Sequence, residues 1–137
     1  MSRPSISKSV RKFVAERAGF RCEYCRMPES ESYVSFQVDH IASLKHGGGN
    51  EPENLAYICP HCNQFKGTDL TTFLDSYQDI VLLFNPRSYI WDEHFKVENG
   101  VISGRTRIGQ ATAKTLQFNA PDRIIHRQLL MQTGRYP

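Results

Sequence analysis

Asp39 and His40 stand side by side at the end of an alternating stretch, and Asn63 follows directly on the second of two Cys-x-x-Cys pairs. Histidine is a base whose pKa lies near neutrality. A carboxylate and an amide oxygen are hard donors suited to a divalent cation that keeps open water positions. Together they offer what hydrolysis of a phosphodiester needs: a group to take a proton from water, charge to stabilise the developing anion, and help for the leaving oxygen. Adjacent residues of a strand point to opposite faces, so Asp39 and His40 can serve one site only where the strand ends or bulges.

The two cysteine pairs frame this set. Cys22 and Cys25 lie upstream, Cys59 and Cys62 downstream, with 33 residues between the pairs. A Cys-x-x-Cys turn presents two thiolates to one tetrahedral ion, and two such turns complete a four-thiolate zinc site. The intervening segment is too long for a compact zinc ribbon and must carry structure of its own. His61 lies between Cys59 and Cys62, where its side chain should point away from the sulfurs. Reactive, metal-free thiols of a redox protein are the competing reading of the same pairs.

The elements that must position these residues follow from periodicity. Ser5 or Ser7 can cap a first helix running to about Ala18 and ended by Gly19, with Val10, Phe13, Val14 and the stem of Arg17 on its apolar face. Residues 33–39 alternate like a strand, with His40 at its end. Residues 45–50, KHGGGN, cannot hold regular structure and read as a mobile loop. Residues 55–59 form a second strand, and a helix opening at His61 or Cys62 carries Asn63 and Lys66 on its first turns. The unit is therefore strand, loop, strand, helix. Beyond it, residues 71–77 read as a short helix, residues 80–84 as an apolar run ended by Asn85-Pro86, and residues 95–106 as a hairpin around Asn99-Gly100, a type I′ turn signal. Residues 108–118 read as a helix. Asn119 caps another, with Pro121 in its first turn, that runs to about Gln132.

Composition is that of a globular chain, with 39% apolar and 23% charged residues over 137 positions. This length suits one domain with a core of its own. No apolar run is long enough to span a bilayer and the N-terminal stretch lacks an apolar signal core, so no membrane partner is expected and the expected location is the cytoplasm. The net charge is only +3, but it is unevenly spread. Arg3, Lys8, Arg11, Lys12, Arg17, Arg21 and Arg26 crowd the first 26 residues against Glu16 and Glu23. Lys45 stands against five carboxylates in residues 27–54. A basic first element beside an acidic, metal-ready loop suits a polyanion, and equally a solvated helix face.

The combined pattern CEYC, FQVDHI, GGGNEPENL and ICPHCNQFKG resembles the HNH endonucleases, the ββα-metal nucleases, over residues 20–68. PRSYIWDEHF and ISGRTRIGQATAKTL are similar to the tails of small stand-alone HNH proteins of bacterial or phage type. The resemblance implies an α+β fold: a ββα-metal core stapled by a four-cysteine zinc site, with an N-terminal helix and a C-terminal hairpin plus helices. It implies one domain over 1–137, with core 20–68 and extension 69–137. It assigns His40 as general base, Asp39 as metal ligand, and Asn54 as the middle Asn that ties the loop and orients the base. Asn63 stands where the family often has His, an H-N-N variant in which Asn63 joins Asp39 on a catalytic Mg²⁺ or Mn²⁺. Cys22, Cys25, Cys59 and Cys62 hold a structural Zn²⁺. The implied partner is nucleic acid, DNA by family expectation, bound by a monomer or homodimer, with Lys66 and Arg21 as phosphate contacts.

Each assignment has a plainer rival. Asp39 could cap the loop, His40 could hold a backbone carbonyl, Asn63 could be a helix N-cap, and Lys66 could be solvated. His46 is not expected to be catalytic. Trp91 and His94, in WDEHF, could stack on nucleic-acid bases, but such a Trp-Phe pair reads as core, and Arg87, Arg105 and Arg107 as surface residues that could otherwise extend a basic path. The leading reading is a metal-dependent endonuclease. A non-catalytic, zinc-stapled nucleic-acid-binding module is the alternative.

Overall fold

The computed structural model describes residues 5–137. Arg3, counted in the basic N-terminal stretch, lies outside them. Ser7, in extended backbone, caps helix α1 (Lys8–Arg17) by accepting from the Val10 N–H, and Gly19 closes it with a left-handed φ of 64°. Val14 and Ala15 face the core, while Phe13, expected beside them, is half exposed under the Arg17 guanidinium. Arg17 leaves the helix end to donate to the carbonyls of Pro52 (3.0 Å) and Leu55 (2.7 Å), which fixes α1 to the central unit.

That unit is an antiparallel ribbon of β1 (Gln37–His40) and β2 (Leu55–Ile58), followed at once by α2 (Pro60–Lys66). Gln37 faces Ile58 and His40 faces Leu55. The first strand is shorter than residues 33–39 predict: Tyr33 and Val34 are exposed and unladdered. The reason lies in the partner. After Ile58 the chain turns into the Cys59 cap of α2, so residues 33–36 have nothing to pair with. The glycine loop is likewise more structured than its composition suggests. Leu44–His46 makes a 3₁₀ turn closed by Gly47 at φ 90°, and Gly48 packs so closely that a β-carbon there would sit 1.8 Å from the Ala42 oxygen.

The C-terminal half adds two more hairpins. Residues 71–77 are not a helix: β3 (Thr71–Phe73) pairs with β4 (Ile80–Leu82). The β-branched threonines suit a strand, and the apolar run that follows supplies the partner that local periodicity could not foresee. A one-turn helix α3 (Trp91–His94) leads into β5 (Phe95–Glu98) and β6 (Val101–Gly104), joined as expected through Asn99 and Gly100, both with positive φ. Thr106 caps α4 (Arg107–Thr115), and α5 (Pro121–Gln132) follows. Asn119 does not cap α5. Its amide instead pairs with both the N–H and the C=O of Ile102 at 2.9 and 2.8 Å, an alternative bond that a hairpin edge made available.

The fold is thus α+β, with three two-stranded sheets among the described residues and the helices packed around them. The buried cluster runs from Val14 through both cysteine pairs and β2 to Trp91, Phe95 and Phe118. Trp91 is core, as expected, and its indole N–H donates to the Tyr24 carbonyl at 2.7 Å. Phe95 meets Phe84 edge to face and Phe118 at a tilt, and each buried ring contributes about 1.5–3 kcal/mol. This seam joins the C-terminal half to the first cysteine turn. Among the described residues, no helix is long and apolar enough to cross a membrane.

Candidate active site and zinc centre

The ribbon brings the four cysteines together. Their sulfurs all lie within 4.8 Å of one another, with Cys25 and Cys59 at 3.7 Å. A tetrahedron with zinc–sulfur bonds of 2.3 Å has edges of about 3.8 Å, so the donor set fits Zn²⁺. All four are buried and none is disulfide-bonded. Each turn donates a backbone N–H to its own first sulfur, Cys25 to Cys22 and Cys62 to Cys59, both at 3.4 Å. Burial pushes the Cys22 and Cys62 thiols up, whereas hydrogen bonds from Cys22, Cys59 and Cys62 hold Cys25 down. A cation at the centre replaces that contest with four thiolates. His61 is exposed and outside the sulfur cluster.

The first turn is tied to the ribbon by two carboxylates. Glu23 accepts from the Tyr57 N–H at 2.8 Å and pairs with Arg87. Glu29 accepts from the Phe36 N–H at 2.9 Å and from the Tyr57 hydroxyl at 2.6 Å.

At the other end of the ribbon His40 is the last paired residue, and no bulge interrupts the ladder. The Asp39-His40 pair thus stands at a strand end and not at a bulge. His40 Nε2 lies 2.7 Å from Asn50 Oδ1. An amide oxygen only accepts, so Nε2 carries the proton and Nδ1 is the basic nitrogen of the neutral ring. Asn54 ties the loop at three points: Oδ1 accepts from Ala42 N–H, and Nδ2 donates to Ala42 O and Gly49 O, each at 2.9 Å. Its own carbonyl accepts from Ile41 N–H at 2.8 Å. Asn54 thus fixes the path from His40 to Asn50 without touching the imidazole.

Helix α2 runs back from the sulfurs towards this end. Lys66, expected as a phosphate contact, is buried: its Nζ lies 2.9 Å from Asp39 Oδ2, at ion-pair distance though off the angle of a hydrogen bond, and 3.3 Å from the His40 carbonyl. The two side chains are only 2% and 10% exposed. Burial pushes the Asp39 carboxyl above its ordinary range, against the pull of Lys66 and His40. Asn63 precedes Lys66 by three residues and so shares its strand-facing side of α2, half-buried. Arg21, the other expected phosphate contact, is partly exposed and donates to the Arg26 carbonyl at 3.3 Å. Arg105 and Arg107 are exposed, as expected of surface residues; Arg105 donates to the Phe95 carbonyl, and Arg107 pairs with Asp75 and Asp79. Lys8, Arg11 and Lys12 of α1 are exposed.

Three connections escaped the sequence reading. Asn50 ends the glycine loop as one amide among several, and only the loop's path brings it to His40. Lys66 lies one turn after Asn63, a spacing that did point to a shared face. Arg123, in the C-terminal helix, reaches the sulfurs from 61 residues beyond Cys62. A cavity of about 680 Å³ lies beside the zinc centre, walled by Tyr33, Phe36, His61, Arg123 and His126; Asp39, His40 and Asn63 are not part of it.

Comparison with known proteins agrees with this arrangement. Residues 22–69 match the family described as HNH endonuclease. The chain is also 27% identical over 129 residues to the Septu protein PtuB of Bacillus thuringiensis, covering 90% of this chain and 46% of that protein. It therefore spans about half the length of the curated relative it matches.

Proposed function

From the premise that this chain carries an HNH endonuclease domain over residues 22–69, we propose that it is a metal-dependent endonuclease acting on DNA. The observation that carries this reading is the His40–Asn50 bond at the strand end beside Asp39. It fixes the ring through Nε2 and leaves Nδ1 to accept a proton. A histidine serving only the fold has no need of a free basic nitrogen at a half-buried strand end.

In this mechanism His40 Nδ1 takes the proton from water, and Asn50 accepts from the Nε2–H of the imidazolium that forms. Asn54 is a positioning residue, since it holds the loop that presents Asn50. Asp39 and Asn63 would hold Mg²⁺ or Mn²⁺, which would supply positive charge against the negative charge that develops during phosphodiester hydrolysis. What favours these donors is that both offer oxygen and stand on β1 and α2, which pack against each other. Lys66 pulls against the burial that raises the Asp39 carboxyl. The four cysteines hold the scaffold zinc away from the chemistry. The exposed bases of α1, with Arg21, are the proposed path of the nucleic-acid backbone.

The test is conversion of supercoiled plasmid to nicked circle by zinc-loaded protein in Mg²⁺, Mn²⁺ or EDTA. Nicking that needs the added ion, and that Asp39→Asn and Asn63→Ala each weaken by raising the metal concentration required, supports the reading. No cleavage in any metal, with zinc content and DNA binding intact, transfers the protein to the non-catalytic binding module.

A further inference from the structure

A four-thiolate zinc centre is a dianion, and here Cys22, Cys25, Cys59 and Cys62 are all buried. Buried charge needs a partner of opposite sign. The backbone N–H groups of Cys25 and Cys62 offer dipoles to the sulfurs but no charge. The charge comes from α5. Arg123 Nη2 lies 3.2 Å from Cys62 Sγ and 4.0 Å from Cys59 Sγ. Its other arm, Nη1, donates to the carbonyls of Leu116 at 2.7 Å and Gln117 at 3.0 Å, which aim the guanidinium. The residue is only 6% exposed, and among the described residues it is the one cation hydrogen-bonded to a cysteine sulfur. A second stitch lies nearby, where the buried Tyr136 hydroxyl donates to the Cys25 carbonyl at 2.7 Å.

We infer that Arg123 is the resident counter-cation of the zinc centre, and that α5 is thereby part of that centre. The zinc then staples three pieces, the two cysteine turns and the C-terminal helix, although Arg123 lies outside the stretch that matches the nuclease family. This rests on the sulfur cluster alone and stands or falls separately from the nuclease reading. Neighbouring Arg127 gives the contrast on the same helix. It is fully buried but donates to the carbonyls of Gly100 and Phe118, so it docks α5 without bonding to sulfur.

The experiment compares zinc transfer from the full-length, zinc-loaded protein to the chromophoric chelator 4-(2-pyridylazo)resorcinol in wild type, Arg123→Gln, Arg123→Lys and Arg127→Gln. Partners of this kind typically change metal affinity by about 10- to 100-fold. Arg123→Gln is expected to lose zinc that much more readily, Arg123→Lys less so, and Arg127→Gln to stay within about twofold of wild type. In the cobalt-substituted proteins, the thiolate-to-metal charge-transfer band should shift to lower energy in Arg123→Gln and stay put in Arg127→Gln. Zinc retention by Arg123→Gln within twofold of wild type overturns the inference. So does equal loss in Arg127→Gln, which would make helix docking the cause. Should Arg123→Gln not fold, Arg123→Lys decides. A folded, zinc-bound lysine variant supports the counter-cation, and failure of both variants assigns Arg123 to packing and overturns it.

Discussion

The two polar clusters of this protein sit at opposite ends of one short ribbon and follow opposite rules. At the Ile58 end, four sulfurs are buried, within 4.8 Å of one another, and meet an arginine from a distant helix. At the Leu55 end, His40 and Asn63 are half-buried and Asp39 nearly buried, and the partners of His40 and Asp39 come from the loop and helix immediately around them. A closed set of four protein ligands is the signature of a structural ion, and an open set with a poised base is the signature of chemistry. Helix α2 joins them: it starts on a sulfur and ends with Lys66 on Asp39, about 10 Å further along at 1.5 Å per residue. The cysteine cluster therefore sets where the partner of Asp39 arrives.

The sharpest way to separate the two ends is to remove the staple. Cys59→Ser should abolish the fold, because binding energies of about 10–16 kcal/mol are typical of such structural zinc and act as folding energy. Circular dichroism with zinc quantitation checks this, and a folded, zinc-free variant would break the contrast. Chelation strong enough to strip zinc should likewise inactivate irreversibly, whereas removal of Mg²⁺ should be reversed by adding it back.

Next in size is the link between the ends. Lys66→Met leaves Asp39 buried without its cation, and breaking such a pair costs about 3–5 kcal/mol. Urea denaturation of zinc-loaded protein reads it. A loss below 1 kcal/mol would mean that Asp39 is better solvated than its burial implies.

How much of this was legible beforehand depends on the range of the interaction. The cysteine turns, the strand-ending His40 and the Asn99-Gly100 hairpin are local signals, and each appears where its residues indicate. Residues 33–36 and 71–77 were misread because strand identity depends on a partner: Cys59 withholds one from the first, and Ile80–Leu82 provides one to the second. Asn119 had two bonds to choose from and took the hairpin edge over the helix cap. Lys66 carries the chemistry of a phosphate contact, but only packing decides that its ammonium turns inward to Asp39.

Smaller effects refine the catalytic end. Asn54→Ala removes three side-chain hydrogen bonds that hold the loop and should lower stability by about 1–3 kcal/mol, with turnover falling as well. Asn50→Ala removes the amide that meets His40 at 2.7 Å and should lower stability by about 1–3 kcal/mol at this half-buried position. Its rate should also fall by about 10- to 100-fold, because the ring loses the group that sets its tautomer and orientation. A variant with an unchanged rate would return Asn50 to loop structure alone.

The most direct test of the central claim is single-turnover cleavage of plasmid by His40→Ala, prepared with the same zinc content and thermal stability as wild type. The account predicts metal-dependent nicking by wild type and a loss of at least about 100-fold in the variant, the size expected of a general base. Equal rates in the two proteins would contradict it, since the proton would then be leaving to some group other than His40.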